Sequence, residues 1–401
     1  MNVPFLEPRP SVADLPDTAD AGCVDYDIHG LLGIRLIHPS PGDIGKVSGQ
    51  IGLLPTSLSR EPGIVIHFVD ALPIEAPLCH LGREDVGYTD GQFVLLRSHN
   101  LARARTQLAF ETFDKRIEIT CESGLPAIPL LRPLINLAML ARGIVPVHAA
   151  AFEHSGKGVL VTGWSHGSKT GTLLSFMADG AKFVGDEWIY LDADRDRMVG
   201  LPDHLEARPW YLRDLPLYRR HAGRKERLRV AVAERAARWL APKVPGSERR
   251  NSLTSKIIRF AHHALMDQQS IDLTPTALFG REACKLESGL DVIIVAISRD
   301  SPDISVKTAP VERVATQMAA SFMFEQASLL SCYQKYLFAF PGRRNALLDQ
   351  AEEIYHGHAL RALAGKRAYT MLHPYPVSIH ALRNAVRPLL EIFGNPAVPR
   401  E

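Results

Sequence analysis

The chain has 401 residues, 46% hydrophobic and 22% charged, and its 46 Lys and Arg nearly balance 44 Asp and Glu, for a formal net charge of +2. This is the composition of a globular protein long enough for two or three domains, and it excludes the collagen-like and disordered classes. The five cysteines, Cys23, Cys79, Cys121, Cys284 and Cys332, are odd in number, scattered and without a C-x-x-C pair, which argues against a disulfide framework or a zinc knot and for a reducing cytoplasm.

In chain order, the opening Met1-Asn-Val-Pro-Phe-Leu-Glu-Pro-Arg-Pro lacks a basic segment followed by an apolar one, so no secretory signal is expected. No membrane span is expected either. The longest apolar stretch, near 130–152, is interrupted by Arg132, Arg142 and prolines. Residues 1–125 read as an N-terminal β-rich region, with runs such as Gly63-Ile-Val-Ile-His-Phe-Val and Gln92-Phe-Val-Leu-Leu, the latter preceded by the turn signal Asp90-Gly91. His67, His80 and His99 are isolated there and form no metal-ligand pattern. From Leu130 to Arg142 apolar residues fall at helical spacing and lead into the strand Val145-Pro-Val-His148.

Next comes the segment that carries chemistry. Val159-Leu-Val-Thr162 is a short apolar, β-branched run, followed by Gly163 where the chain must turn. The loop Gly163-Trp164-Ser165-His166-Gly167-Ser168-Lys169-Thr170-Gly171 then opens into a helix with Leu173, Leu174 and Met177 at helical spacing. Backbone N–H groups at such a helix N-terminus suit a polyphosphate. Lys169 would bring a compact charge to the terminal phosphates, and the Thr170 hydroxyl would take a place on Mg²⁺. The loop departs from G-x-x-x-x-G-K-[ST], because Ser168 stands where the second glycine belongs and Gly167 is one position early. Taken alone, it is also compatible with a chance strand-turn-helix bearing a solvated lysine. Downstream, Phe183-Val-Gly-Asp186-Glu187 is an apolar strand interrupted by two carboxylates, one able to hold a metal and the other to orient or deprotonate a hydroxyl. An ordinary strand end with solvated acids is the plainer alternative. His148 likewise reads either as a site residue or as a strand-end histidine satisfied by a hydrogen bond.

From 213 to 261, fourteen Lys or Arg stand against four Asp or Glu. The stretch is helix-friendly and is broken by Pro242, Pro245 and Gly246, so it reads as a basic helical insertion, 213–262. It is either a solvated face or an arm for an acidic partner or phosphorylated ligand. The aromatic interleaving of a single-strand nucleic-acid binder is missing. Gly289-Leu-Asp-Val-Ile-Ile-Val-Ala-Ile-Ser then reads as a strand buried on both faces, with Ile304-Ser-Val-Lys as a shorter neighbour. Residues 311–401 read as a C-terminal helical region, in which His356, His358 and His373 lack ligand spacing.

The run from His148 to Asp192 resembles the catalytic core of the bacterial HPr kinase/phosphorylase family, whose loop region is similar to that of ATP-dependent phosphoenolpyruvate carboxykinases. Gly163, Ser165, Lys169 and Thr170 match the loop, His148 the upstream histidine, and Asp186-Glu187 the acidic pair. His166 and Ser168 replace both inner glycines. Leu205-Glu206-Ala-Arg208 looks like the family's L-E-x-R segment, though Pro209 follows where glycine is expected. The resemblance implies an α/β P-loop kinase core over 126–310, binding ATP and Mg²⁺ and transferring the γ-phosphoryl group to a hydroxyl. The acceptor would be a serine of a protein or peptide, or a small molecule. It implies Asp186 as the base, Lys169 and His148 as further catalytic residues, and Thr170, Glu187 and Glu206 as metal ligands. A degenerate loop that holds nucleotide or another anion without turnover, and recruits a partner, is the alternative. A homo-oligomer is left open.

Overall fold

The computed structural model describes residues 22–82, 85–97, 103–164, 167–202, 205–215, 224–240 and 271–391. Ser165 and His166 of the loop, His99, the Pro-rich opening and much of the basic insertion (216–223 and 241–262) lie outside the described residues.

Early in the chain apolar and polar residues alternate, as in Cys23-Val-Asp-Tyr-Asp-Ile and Arg103-Ala-Arg-Thr-Gln-Leu, so such strands have one face to bury. Eight strands follow: β1 (Cys23–Ile28), β2 (Leu32–Ile37), β3 (Ile64–Val69), β4 (Cys79–Leu81), β5 (Val86–Tyr88), β6 (Phe93–Arg97), β7 (Arg103–Leu108) and β8 (Ile117–Glu122). They form a mixed sheet in the order β1-β2-β3-β8-β7-β6-β5-β4. Its buried face packs on α1 (Pro41–Ile51) and α2 (Leu131–Leu140). Ser40 opens α1 with a capping box, its hydroxyl accepting from the Asp43 N–H and the Asp43 carboxylate accepting from the Ser40 N–H.

A second sheet of nine strands follows. Its elements are β9 (Val145–His154), β10 (Lys157–Thr162), α3 (Lys169–Met177), β11 (Lys182–Gly185), β12 (Trp188–Asp192) and β13 (Arg197–Gly200). After them come β14 (Leu205–Ala207), α4 (Pro209–Asp214), α5 (Arg224–Leu240), β15 (Ile271–Leu273) and α6 (Pro275–Phe279), with β14 and β15 pairing as a separate ribbon. The chain closes with β16 (Glu287–Gly289), β17 (Val292–Ser298), β18 (Ser305–Thr308), α7 (Val311–Glu325), α8 (Ala327–Ala339), α9 (Ala346–Asp349), α10 (Ala351–Leu363), β19 (Arg367–His373) and α11 (Ile379–Glu391). The strand order is β16-β13-β12-β9-β10-β17-β19-β18, with β11 paired to β9.

β10, β17 and β19 run parallel. The loops that follow them therefore leave the sheet at one edge, the usual place for a ligand in an α/β sheet. Both faces are covered. Val159, Val161 and Ile294 pack with α3 and α11, while Leu160, Ile293 and Val295 pack with α7 and α10. Double burial is why β10 and β17 read as unbroken apolar runs.

The architecture is thus mixed α/β with two mixed sheets. One expectation is corrected: the region from 311 is not simply helical, because β19 sits between β17 and β18 inside the sheet. Arg367 and Thr370 interrupt its apolar pattern, which hid it in a helical context. The same region also reaches the first core, since α8 carries Tyr333 and Tyr336 against Phe110. No helix among the described residues is long and apolar enough to cross a membrane.

Glu122 ties down the end of β8. Its buried carboxylate accepts from Arg103, from Arg105 Nε at 2.6 Å and from the Leu72 N–H at 3.2 Å. Burial pushes its pKa up, but the Leu72 N–H and the two guanidinium groups outweigh that and hold it below the ordinary 4.5. A depressed folded-state pKa stabilises the fold above the unfolded value and loses that contribution as pH falls through the folded one. Denaturant titrations of the wild type should therefore show a stability loss below about pH 4.5 that is shallower in Glu122→Gln, with the variant already less stable at pH 7.

Candidate functional site

The loop after β10 lies on the backbone of β17. A Cβ at Gly163, whose φ is +142°, would stand 2.2 Å from the Ala296 carbonyl oxygen, and one at Gly167 would stand 2.7 Å from the same atom. Both positions need glycine for that close approach. Ser168 caps α3 with φ +57° and ψ 28°, a left-handed conformation, and it is buried beside Tyr211. The consensus glycine is thus missing where the backbone most favours it. Gly171 has a different reason, since a Cβ there would meet the Tyr211 ring at 2.6 Å.

Lys169 is the first residue of α3 and is 8% exposed. Its Nζ donates at 3.4 Å to the carbonyls of Gly163 and Trp164, long contacts that a stronger acceptor would replace. Burial lowers its pKa, while Glu187, Asp186 and Glu325 pull it back toward the charged form. The loop is buttressed from β19 by His373, whose Nε2 lies 3.2 Å from the Gly167 carbonyl and whose Nδ1 lies 2.7 Å from that of Pro374.

The two adjacent carboxylates diverge. The ladder between β11 and β9 shifts between Phe183 and Gly185, and Glu187 takes a φ of +68° before β12 resumes opposite His148. Left-handed backbone at a bulky residue costs of order 1 kcal/mol or more and here re-aims a side chain. Asp186 turns inward, 1% exposed, and accepts from Thr170 Oγ1 at 2.9 Å. Burial, then the neighbouring charge of Glu187, raises its pKa far above the usual carboxylate range, against the opposing pull of Thr170, Lys169 and His148. Glu187 instead meets His148 Nε2 at 3.2 Å, and its side chain stays 40% exposed. Burial works against its charge, but the bond and charge of His148, with Lys169 behind them, bring its pKa below normal.

His148 sits between two acids. Its Nδ1 lies 2.7 Å from Glu325 Oε1, and its ring stacks on Trp188 with centroids 5.8 Å apart. Burial would discharge the imidazole, yet its bonds to Glu187 and Glu325 overcome this and lift its pKa to about 9. With a carboxylate at each ring nitrogen, the arrangement favours the doubly protonated imidazolium.

His148, Lys169, Thr170, Glu187, Glu206 and Arg208 converge on one cavity of about 300 Å³, walled by Tyr211 and Tyr375. Residues expected from the sequence are thus brought to one place, with two departures. Asp186, expected to reach a substrate hydroxyl as base, is enclosed and bonded to Thr170. Thr170, expected to share a metal with Glu187 and Glu206, has Asp186 as its hydrogen-bond partner. Among the described residues no group of three or more His, Cys, Asp and Glu forms a metal cage. The Thr170 and Asp186 oxygens are nonetheless a hard-donor pair of the kind Mg²⁺ takes when phosphates and waters complete its shell. Glu325, Tyr211 and Tyr375 were not anticipated. Glu325 lies 177 residues from His148 in an ordinary helix, and no local signal marks it.

No family model and no curated protein matches the chain. Among solved structures, the Hpr(Ser) kinase/phosphatase from Coxiella burnetii aligns over 62% of this chain and 99% of that one, at 10% identity and a TM-score of 0.28. A superposition that loose carries no conclusion about function.

Ser168 gives a direct test of the loop. Ser168→Gly removes a left-handed non-glycine residue and should raise unfolding stability by about 1 kcal/mol, read from denaturant midpoints, rather than lower it as glycine ordinarily does.

Proposed function

We propose that this protein is an ATP- and Mg²⁺-dependent phosphotransferase that passes the γ-phosphoryl group to a hydroxyl. The observation that supports it most is the bond between Thr170 and Asp186 beside the buried Lys169, at the head of a helix that follows a glycine-bearing loop. Phosphoryl transfer needs few covalent partners from the protein. It needs donors on the phosphates, a metal held by a hydroxyl and an acid, and a group that orients the nucleophile.

In this scheme Lys169 exchanges its two long carbonyl contacts for phosphate oxygens. Thr170 and Asp186 would hold Mg²⁺, which when bound neutralises phosphate charge. That assigns Asp186 to the metal and not to the acceptor. Glu187, open to the cavity and fixed by His148, is the carboxylate placed to orient or deprotonate the acceptor hydroxyl. The His148 imidazolium adds positive charge on the same wall, while Glu206 and Arg208 border the cavity from β14 and the segment after it. The acceptor is a serine of a protein or peptide, or a small molecule. The exposed Arg229 and Arg235 of α5 suit an acidic partner.

Incubation with γ-labelled ATP and Mg²⁺ in a lysate of the source organism should label a species with the wild type. Lys169→Ala should lose about 10²–10³-fold of the transfer with its circular dichroism unchanged, and Asp186→Asn should lose Mg²⁺ dependence together with activity. Full labelling by Lys169→Ala would sink the proposal. A loop that binds nucleotide without turnover is the alternative, favoured by the Cβ that Ser168 adds at the cavity wall. ATP binding with no labelled product would select it.

A further inference from the structure

Glu325 is the last residue of α7, outside every motif segment, and yet it makes the shorter of the two contacts to His148, 2.7 Å against 3.2 Å for Glu187. Its place in the helix works against it. The C-terminal end of a helix carries partial negative charge and disfavours a carboxylate. What offsets this is the site itself, since Glu325 is hydrogen-bonded to His148 and its charge acts on Lys169. Glu325 is three-quarters shielded from solvent and His148 more so, which makes their bond a fixed one and not a surface ion pair.

The residue before it is also committed. Phe324 packs on Trp164 of the loop with ring centroids 4.6 Å apart, and the Trp164 carbonyl is one of the two that hold Lys169. Two consecutive side chains at one helix end therefore touch the cavity-lining His148 and the start of the loop that carries Lys169. An imidazole bonded at one nitrogen alone can pivot about its remaining torsion. One bonded at both, with its ring against Trp188, has one orientation.

We infer that Glu325 is the positioning residue for His148, fixing the ring through Nδ1 so that Nε2 is presented to Glu187 and the cavity. For its effect on turnover this rests on the phosphotransferase reading above; for the ring geometry it does not. The residue acts through a hydrogen bond, so an isosteric acceptor should serve in place of the carboxylate.

The experiment compares full-length wild type, Glu325→Ala and Glu325→Gln by two measurements. The first is nitrogen–proton NMR of the histidine side chains, with the His148 signals identified by their loss in His148→Gln. A slowly exchanging Nδ1 proton should be present in the wild type and in Glu325→Gln and absent in Glu325→Ala. The second is transfer from γ-labelled ATP, in which Glu325→Ala should lower kcat by about 10- to 100-fold with the KM for ATP nearly unchanged, and Glu325→Gln should recover most of the loss. A protected Nδ1 proton or wild-type kcat in Glu325→Ala would overturn the inference, as would a Glu325→Gln variant no better than alanine. If the wild type transfers no phosphoryl group, the phosphotransferase reading fails, and the NMR comparison still decides the role of Glu325.

Discussion

The loop between β10 and α3 can exist in this form only because two glycines let it rest on the Ala296 carbonyl of β17. With any side chain at Gly163 or Gly167 the loop would lift from the strand, and Lys169 and Thr170, which begin the helix it opens, would move with it. The strand beneath is held on both edges and both faces. β17 lies between β10 and β19 in a parallel ladder, with packed helices on both faces. The placement of the cavity's cation thus traces to a backbone contact at the edge of the most buried part of the sheet, with the His373 ring braced against the same loop from β19.

Onto that frame the chain adds a concentration of charge that would be costly if any member were missing. Lys169, His148, Asp186, Glu187 and Glu325 lie within mutual influence in a poorly solvated space. For Lys169, His148, Asp186 and Glu187 burial works against the charged form, and oppositely charged or hydrogen-bonding neighbours work for it. Lysine and the inner aspartate are the two for which burial prevails, the histidine and the outer glutamate the two for which partners prevail. A buried set of this kind is a poor source of stability and a good way to hold groups in definite protonation states.

Much of this was legible in the sequence where one local pattern sufficed. The apolar run of 292–297 announced a strand buried on both sides, Asp90-Gly91 the turn between β5 and β6, and the spacing of Leu173, Leu174 and Met177 the helix after the loop. The gathering of His148, Lys169, Thr170 and Glu187 at one cavity was also foreseen, because they come from neighbouring strands and one loop. What sequence could not supply was direction. Asp186 and Glu187 are adjacent and chemically alike, and only the left-handed φ of Glu187 and the shifted ladder decide which turns inward. Nor could it supply distant company. β19 and Glu325 enter from the last third of the chain, where helical spacing gives no hint of a strand inside the sheet or an acid at the site.

The corner between α7 and α8 joins two parts of the molecule that sequence texture separates. Glu325 and Phe324 end α7 against His148 and Trp164, and α8 begins two residues after Glu325 and carries Tyr333 and Tyr336 into the aromatic cluster around Phe93 and Phe110, below the first sheet. The cavity wall and the N-terminal core are therefore anchored by two consecutive helices that meet at Gln326. The loop, its helix and the paired acids do not make a self-sufficient cassette. Severed from the first 125 residues, α8 would lose the cluster that seats it, and the helix end holding His148 would lose its anchorage as well.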